Sequence, residues 1–505
     1  MLKKSLFPIL LIAVFFVSAC SEAETEPTRL LNAEDYEGQL IADRRAVPDG
    51  LAAEAPPPEV PAVSPPEVPA VTESTTAPDR QADPAPASTS PPPDRQAVPS
   101  STAPPPDEQT NPIPADIITP PVPAPPPTPA GAYAPLNYSE VKGVWISFIE
   151  LQGAFAGRSE AGFRSVFAAM MDNCKSLGIN TVYVHVRAHG DSYYKSELFP
   201  WARQITGIMG VAPDFDPLAI MIEEAHSRGI SFRAWINPMR LMSDADMQRV
   251  SADFPDLPVS KWHKGGGNGT HIVKVGSHWY LNPAEPEVRK LIADGAAEIL
   301  RNYNVDGLHI DDYFYPPNSG ESFDRTAFLN SGQASLTQFR LDNATKMVKS
   351  LYDTVKSINP SVLFGISPQG SIENCYEIYA DVNKWASEAG YCDYIAPQLY
   401  YGFLNVAQPF DKCLRQWEEL VAGTDIKLLI GLAVYKIGEV DAWAGAGEAG
   451  RNEWLNSSDI IKRQISLSKQ AENYGGYIFF SYRFLFESGF NSPAINAQLQ
   501  SAGIT

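Results

Sequence analysis

Positive charge is in short supply in this sequence: 39 Lys and Arg residues face 59 Asp and Glu residues, a formal net charge of −20 over 505 residues. That deficit argues against nucleic acid as a partner and against adhesion to anionic lipid head groups. Neutral and amino-sugar polymers stay open. Cysteine is scarce as well, five residues in all, and none stands in the Cys-x-x-Cys or Cys/His spacing that holds zinc. No Gly-x-Ser-x-Gly elbow, P-loop or His-Glu-x-x-His occurs, and the Gly265-Gly266-Gly267 run follows no strand pattern. His185 and His189 lie four apart across a predicted strand end, which offers a divalent ion too little. Neither a metal nor a cofactor is expected.

Long apolar runs are missing too, apart from one at the N-terminus. Leu6 to Val17, behind Lys3 and Lys4, has the layout of an export signal and is short for a membrane span. It ends in Val17-Ser18-Ala19-Cys20, which resembles the lipobox of bacterial lipoproteins. Residues 1–20 therefore read as a lipoprotein signal peptide with Cys20 as the lipidation site. The expectation is an exported protein anchored by lipid to a bacterial membrane. Ser21 is compatible with an outer membrane, facing the periplasm of a Gram-negative cell. Export permits disulfides: Cys174, Cys375, Cys392 and Cys413 allow three pairings, and free buried thiols are equally open.

Residues 21–135 hold about two-thirds of the 45 prolines and almost no aromatics. Pro-Pro-Glu-Val-Pro-Ala-Val occurs at Pro57 and again at Pro65, and Asp-Arg-Gln-Ala at Asp79 and Asp94. Such a segment buries too little apolar surface to offset its ordering entropy. It reads as a disordered, partly polyproline tether of roughly 60 Å as a random coil.

From residue 136 onward, short β-branched or aromatic runs alternate with helical patterns. Strands are predicted at Val141 to Phe148, Thr181 to Val186, Ser231 to Ile236, Val305 to Ile310, Val362 to Ile366, Tyr394 to Ala396, Lys427 to Val434 and Gly476 to Ser481. Helices are predicted at Ala161 to Leu177, Leu218 to Arg228, Glu285 to Tyr303, Leu336 to Ile358 and Pro493 to Leu499, with a Gly-rich excursion after Arg240 up to Asn282. Eight strand–helix repeats point to the α/β class and a (β/α)8 TIM-type barrel over residues 136–505.

In such a barrel, polar residues just after the strands meet at one mouth. The densest stretch is Val305 to Pro316, a buried-strand pattern that ends in Asp311-Asp312 and then Tyr313, Phe314 and Tyr315. Asp311 and Asp312 are the catalytic candidates. Binding candidates at the other strand ends are Trp145, Glu150, Arg187, His189, Asp191, Asn237 and Arg240, followed by His309, Tyr313, Gln369, Gln398, Tyr400, Tyr401 and Lys436. Aromatic faces stack on pyranose rings while amides and carboxylates bond hydroxyls, so this mixture suits a glycan polymer. Glycosidic cleavage needs a protonated acid and a carboxylate near the anomeric carbon. Adjacent acids raise one pKa, but adjacent strand residues point opposite ways. A second carboxylate from Glu150, Asp191 or Glu373 therefore stays open.

The chain from Val141 to Phe486 resembles the glycosyl-hydrolase-like family 10 proteins. The matching stretches are Gly143-Val144-Trp145-Ile146-Ser147, Val186-Arg187 through Gly190-Asp191, and Ala234-Trp235-Ile236-Asn237-Pro238. Leu281-Asn282-Pro283, Pro286-Glu287-Val288-Arg289, Val305-Asp306-Gly307 through Tyr315, Ser367-Pro368-Gln369-Gly370 and Tyr394-Ile395-Ala396-Pro397-Gln398 continue the match. Ala188 and Met239 depart from it, where such proteins often carry Pro and Tyr. The resemblance implies a bacterial lipoprotein barrel that hydrolyses glycosidic bonds, with peptide-free peptidoglycan strands as the expected substrate. The Asp306-Gly307 to Asp311 segment also resembles the fourth-strand motif of chitinase-type barrels. Tyr313 stands where that motif has its acid Glu, and Asp311 matches the Asp that supports a reacting N-acetyl group. A hydrolase of another exported polysaccharide and an inactive glycan-binding barrel are the alternatives.

Overall fold

The computed structural model describes residues 133–505, Asn318 excepted. The predicted signal peptide with Cys20, and the predicted tether up to residue 132, lie outside the described residues. No helix among the described residues is long and apolar enough to cross a membrane.

Eight parallel strands close into a barrel. Around the ring they are β1 (Val141–Ile146), β2 (Thr181–Arg187), β3 (Ser231–Ile236), β7 (Gly307–Ile310), β8 (Leu363–Ile366), β9 (Tyr394–Ile395), β10 (Lys427–Ala433) and β11 (Tyr474–Phe480), which returns to β1. Every residue of β2, β3 and β7 is buried, as expected of parallel strands with helices outside and a packed interior. That is why these segments read as continuous apolar runs rather than alternating ones. Helices Glu160–Ser176, Pro217–His226, Pro286–Asn302 and Leu336–Ile358 form part of the outer layer. Ser159 and Ser335 cap two of them through their hydroxyls, and Pro217 and Pro286 open the other two, where a missing N–H costs nothing.

The barrel interior is aromatic. Tyr183 meets the His309 ring edge-on at 4.8 Å, and His309 lies parallel to Tyr394 at 6.0 Å. Two glycines make that filling possible. A Cβ on Gly365 would sit 1.9 Å from the Tyr394 ring, and one on Gly307 would meet the Arg233 side chain at 2.5 Å.

The excursion after β3 is more ordered than its glycines suggest. β4 (Arg240–Ser243) pairs with β6 (His278–Leu281), which pairs with β5 (Ile272–Val275), giving a three-stranded antiparallel sheet. Helices Asp244–Asp253 and Pro258–Lys264 lie between β4 and β5. Gly276, at φ 60, supplies the left-handed turn of the β5–β6 hairpin. The four thiols of Cys174, Cys375, Cys392 and Cys413 are free and buried.

The base of the barrel is tied by one carboxylate. Asp306, fully buried, accepts hydrogen bonds from the Tyr133 hydroxyl (2.6 Å), the Leu136 amide (2.6 Å), His226 Nε2 (2.8 Å) and the Phe232 amide (2.6 Å). Burial opposes its ionisation, but the His226 bond and charge with the Tyr133 and Phe232 donors outweigh it, so its pKa is lowered. Its stabilising contribution is therefore present above the ordinary carboxyl range and is lost as pH falls through the lowered value. Asp306→Ala strands several buried donors and is expected to cost on the order of 3 kcal/mol, with Asn recovering part of it. Thermal unfolding of the three proteins measures this, and a loss under about 1 kcal/mol would contradict the assignment.

Candidate active site

The strand ends open into a cleft with about 1180 Å³ of empty space, part of it open to solvent. Trp145 near the end of β1, Asp311, Asp312 and Tyr313 after β7, and Gln369 after β8 line it, together with Gln398, Tyr400 and Tyr401 after β9 and Lys436 after β10. These nine were anticipated from their places after strand cores. Phe148, His185, Trp235, Asn405, Gln408, Trp443 and Phe480 also line it and were not anticipated. Trp235 and Phe480 carry a readable signal: both sit within strands, on the side that alternation turns inward. Asn405, Gln408 and Trp443 lie on long loops, where no periodicity aims a side chain.

Asp311 and Asp312 reach the same cleft despite being neighbours. β7 ends at Ile310, so both lie beyond the pleat that would send them to opposite faces. A turn closed by Phe314 N–H donating to the Asp312 carbonyl (2.9 Å) follows. Asp311 accepts the indole N–H of Trp235 on Oδ2 (3.0 Å) and the Tyr313 amide on Oδ1 (3.3 Å). Asp312 accepts Gln398 Nε2 on Oδ1 (3.0 Å), and the same nitrogen donates to the Ser367 carbonyl (3.1 Å). Burial raises both carboxyl pKa values, Asp312 to about 6 and Asp311 well above the usual range, with the neighbouring Asp312 charge adding to the latter. Near neutral pH the pair holds a proton that isolated aspartates would have lost.

The histidines here are neutral spacers. His185 lies parallel to Trp235 with ring centroids 3.3 Å apart. Its Nδ1 accepts the Phe148 amide (3.2 Å), so Nε2 carries the proton and donates to Asn237 Oδ1 (3.1 Å). Burial holds its pKa well below the ordinary histidine value. His309 sits deeper, accepting the Trp145 indole N–H on Nε2 (3.3 Å), with Nδ1 bonded to the Tyr394 hydroxyl (3.1 Å). Burial drops its pKa to about 3. Neither ring exchanges a proton near neutral pH.

Seven anticipated binding residues do not line the cleft: Glu150, Arg187, His189, Asp191, Asn237, Arg240 and His309. Glu150 closes a capping box on the helix Phe148–Phe155, accepting the Ser147 amide and hydroxyl, and its other oxygen accepts the Ser481 hydroxyl. Arg187 is turned away by a register shift between His185 and Arg187, and its guanidinium packs over Phe199 at 4.5 Å. Asp191 accepts the amides of Ala188 (2.9 Å) and His189 (3.0 Å) within its own loop. His189 meets Phe148 edge-on at 4.6 Å, and Asn237 steadies His185 while donating to the Ala188 carbonyl. Arg240 lies 4.7 Å over the Tyr313 ring and backs the cleft wall. Glu373, the remaining candidate for a second acid, accepts the Ser371 hydroxyl at a helix start outside the cleft. Asp311 and Asp312 are thus the only carboxylates lining the cleft among the described residues.

Among the described residues, one cation lines the cleft. Lys436 is buried and its Nζ contacts Asp441 Oδ2 at 2.8 Å. Burial lowers its pKa, and the Asp441 charge works the other way. His271, Glu285 and Glu287 could together hold a metal ion, but they are partly exposed and contribute nothing to the cleft.

The profile of the family Glycosyl hydrolase-like 10 matches residues 140–444. The chain belongs to that family. This glycosyl hydrolase-like 10 protein is accordingly a glycoside hydrolase, with its acid pair and every cleft-lining residue but Phe480 inside the matched region. It is 32% identical over 370 residues to Glycosyl hydrolase YngK of Bacillus subtilis, covering 68% of this chain and 69% of that one. It is 30% identical over 404 residues to Glycosyl hydrolase DigH of Escherichia coli K12, covering 74% and 89%. Among solved structures, the PgaB (BpsB) glycoside hydrolase domain of Bordetella bronchiseptica aligns with a TM-score of 0.45 at 13% identity, over 72% of this chain and 98% of that one.

Gln398→Leu removes an N–H donor that favours the ionised form of Asp312. The Asp312 pKa then moves up from about 6, and the alkaline limb of the kcat/KM–pH profile, where Asp312 loses its proton, moves up with it. A limb that stays in place would show that Asp312 does not titrate in that profile.

Proposed function

We propose that this glycoside hydrolase is a lipid-anchored enzyme of a bacterial cell envelope that cleaves a glycan containing N-acetylhexosamine, namely peptidoglycan strands. The observation that carries the glycan class is the acid pair: two buried carboxylates, side by side on one strand end, and no other carboxylate lining the cleft among the described residues. Direct displacement requires carboxyl groups on both sides of the scissile bond. A 2-acetamido sugar supplies its own nucleophile, the amide oxygen, and then one acid and one supporting carboxylate on the same side suffice.

The roles follow from the surroundings. In the empty site the more strongly raised pKa of Asp311 keeps the shared proton there. With substrate bound, the acetamido N–H donates to Asp311 and favours its ionised form, so the proton passes to Asp312, which gives it to the leaving glycosidic oxygen. Once Asp312 is neutral its repulsion of Asp311 vanishes. Asp311, with N–H donors on both oxygens, is then carboxylate and holds the acetamido N–H as the amide oxygen attacks the anomeric carbon. Asp312, now ionised, takes a proton from the water that opens the cyclic intermediate. Trp145, Tyr400, Tyr401 and Trp235 supply ring faces for the sugar, consistent with the apolar half of a pyranose.

Mass spectrometry of products from the full chain and peptide-free glycan strands tests the substrate, with peptide-bearing strands in parallel. Shortened saccharides support the reading, and intact strands contradict it. Asp311→Asn is expected to slow turnover at least about a hundredfold on strands and on an activated aryl glycoside alike. Asp312→Asn should lose as much on strands but far less on the aryl glycoside, whose leaving group needs no proton. Equal losses for both variants on both substrates would remove the assignment of Asp312 as acid.

Lipid anchoring is supported by Val17-Ser18-Ala19-Cys20 behind the apolar run. Cys20→Ala should move the protein from the membrane fraction to the soluble one, and continued sedimentation with membranes would rule the anchor out.

A further inference from the structure

Nine large apolar side chains are exposed among the described residues, and four of them lie on the two loops that follow β9 and β10. Leu404, Val406, Val440 and Trp443 are 53%, 65%, 51% and 40% exposed. Scattered singly, such residues would mean nothing. Here the loops that carry them are joined. Val406 N–H donates to the Ala444 carbonyl (3.0 Å), Asn405 Nδ2 to the Trp443 carbonyl (3.4 Å) and Leu404 N–H to Glu453 (2.7 Å). Gly445 lies so close that a Cβ there would meet Val406 at 2.9 Å.

The joined loops are also anchored to the cleft. Asp441 is buried, with one oxygen on Lys436 Nζ and the other accepting the Trp443 amide at 3.1 Å. A single carboxylate thus fixes a cleft-lining cation and the backbone of the rim tryptophan. Trp443 itself belongs to both surfaces: it lines the cleft and is partly exposed on the rim. A chain that extends out of the cleft on this side leaves it beside Trp443, on the rim that the joined loops form.

We propose that this rim is an outer subsite for the glycan chain. Trp443, Val406 and Leu404 would cover the apolar face of a sugar residue beyond those that flank the scissile bond. The inference rests on the reading of the substrate as a polymeric glycan. An indole with two aliphatic neighbours matches the C–H face of a pyranose, and its fixed backbone lowers the ordering cost of binding. Continuity with the cleft favours the next stretch of the same polymer over a separate partner. The consequence is a preference for long chains over short ones, achieved through binding rather than through the acid pair.

The test compares kcat/KM of the full chain on peptide-free glycan strands with kcat/KM on the tetrasaccharide prepared from them. In Trp443→Ala and in Val406→Asp, the ratio of strands to tetrasaccharide is expected to fall about tenfold or more. The ratio does not depend on the fraction of folded enzyme, so poor folding cannot imitate the effect. An unchanged ratio in both variants, with both substrates still cut, overturns the subsite and leaves the glycan reading standing. Failure of the unaltered protein to cut either substrate overturns both.

Discussion

The site depends on keeping two carboxylates, Asp311 and Asp312, side by side and out of water. An unpaired buried charge is among the most costly features a fold can carry, and two together cost more than either alone. The protein offsets this with donors from neighbouring strand ends, Trp235 on β3 and Gln398 after β9, and with the backbone turn beyond β7. What remains uncompensated shows as raised pKa values. That residue is useful, because it leaves a proton at the cleft at a pH where solvent-exposed aspartates have none.

Holding the donors in place draws in the surrounding layers. Trp235 is packed against His185, whose tautomer is set by the Phe148 amide and whose other nitrogen is tied to Asn237. Beneath them, the rings of Trp145, Tyr183, His309 and Tyr394 fill the barrel. The interior is therefore a stack of rigid rings with neutral histidines between them, and it supports the carboxylates without adding charge of its own at the mouth.

The barrel was legible in the sequence because parallel strands buried on both faces read as short apolar runs separated by helical periods. The acid pair was legible because two carboxylates at the end of such a run have little structural reason to be there. Other residues were misplaced for identifiable reasons. Ser147 and Glu150 form an S-x-x-E capping pattern that could have been read directly, and it removes Glu150 from the list of acids. Arg187 follows a register shift between β2 and β3, and strand pairing is invisible along a single chain. The β4–β5–β6 sheet hid behind glycines that serve its turns, and loop residues such as Trp443 have no period to aim them.

Asp306 and Asp311 stand at opposite ends of β7, roughly 16 Å apart for five residues of strand. The described residues begin at Tyr133, and the Tyr133 hydroxyl is fastened to Asp306. The floor of the barrel is closed there by a cluster of short hydrogen bonds on a single carboxylate. One short strand, β7, therefore carries both the fastening of the barrel floor at Asp306 and the placement of the acid pair at the mouth.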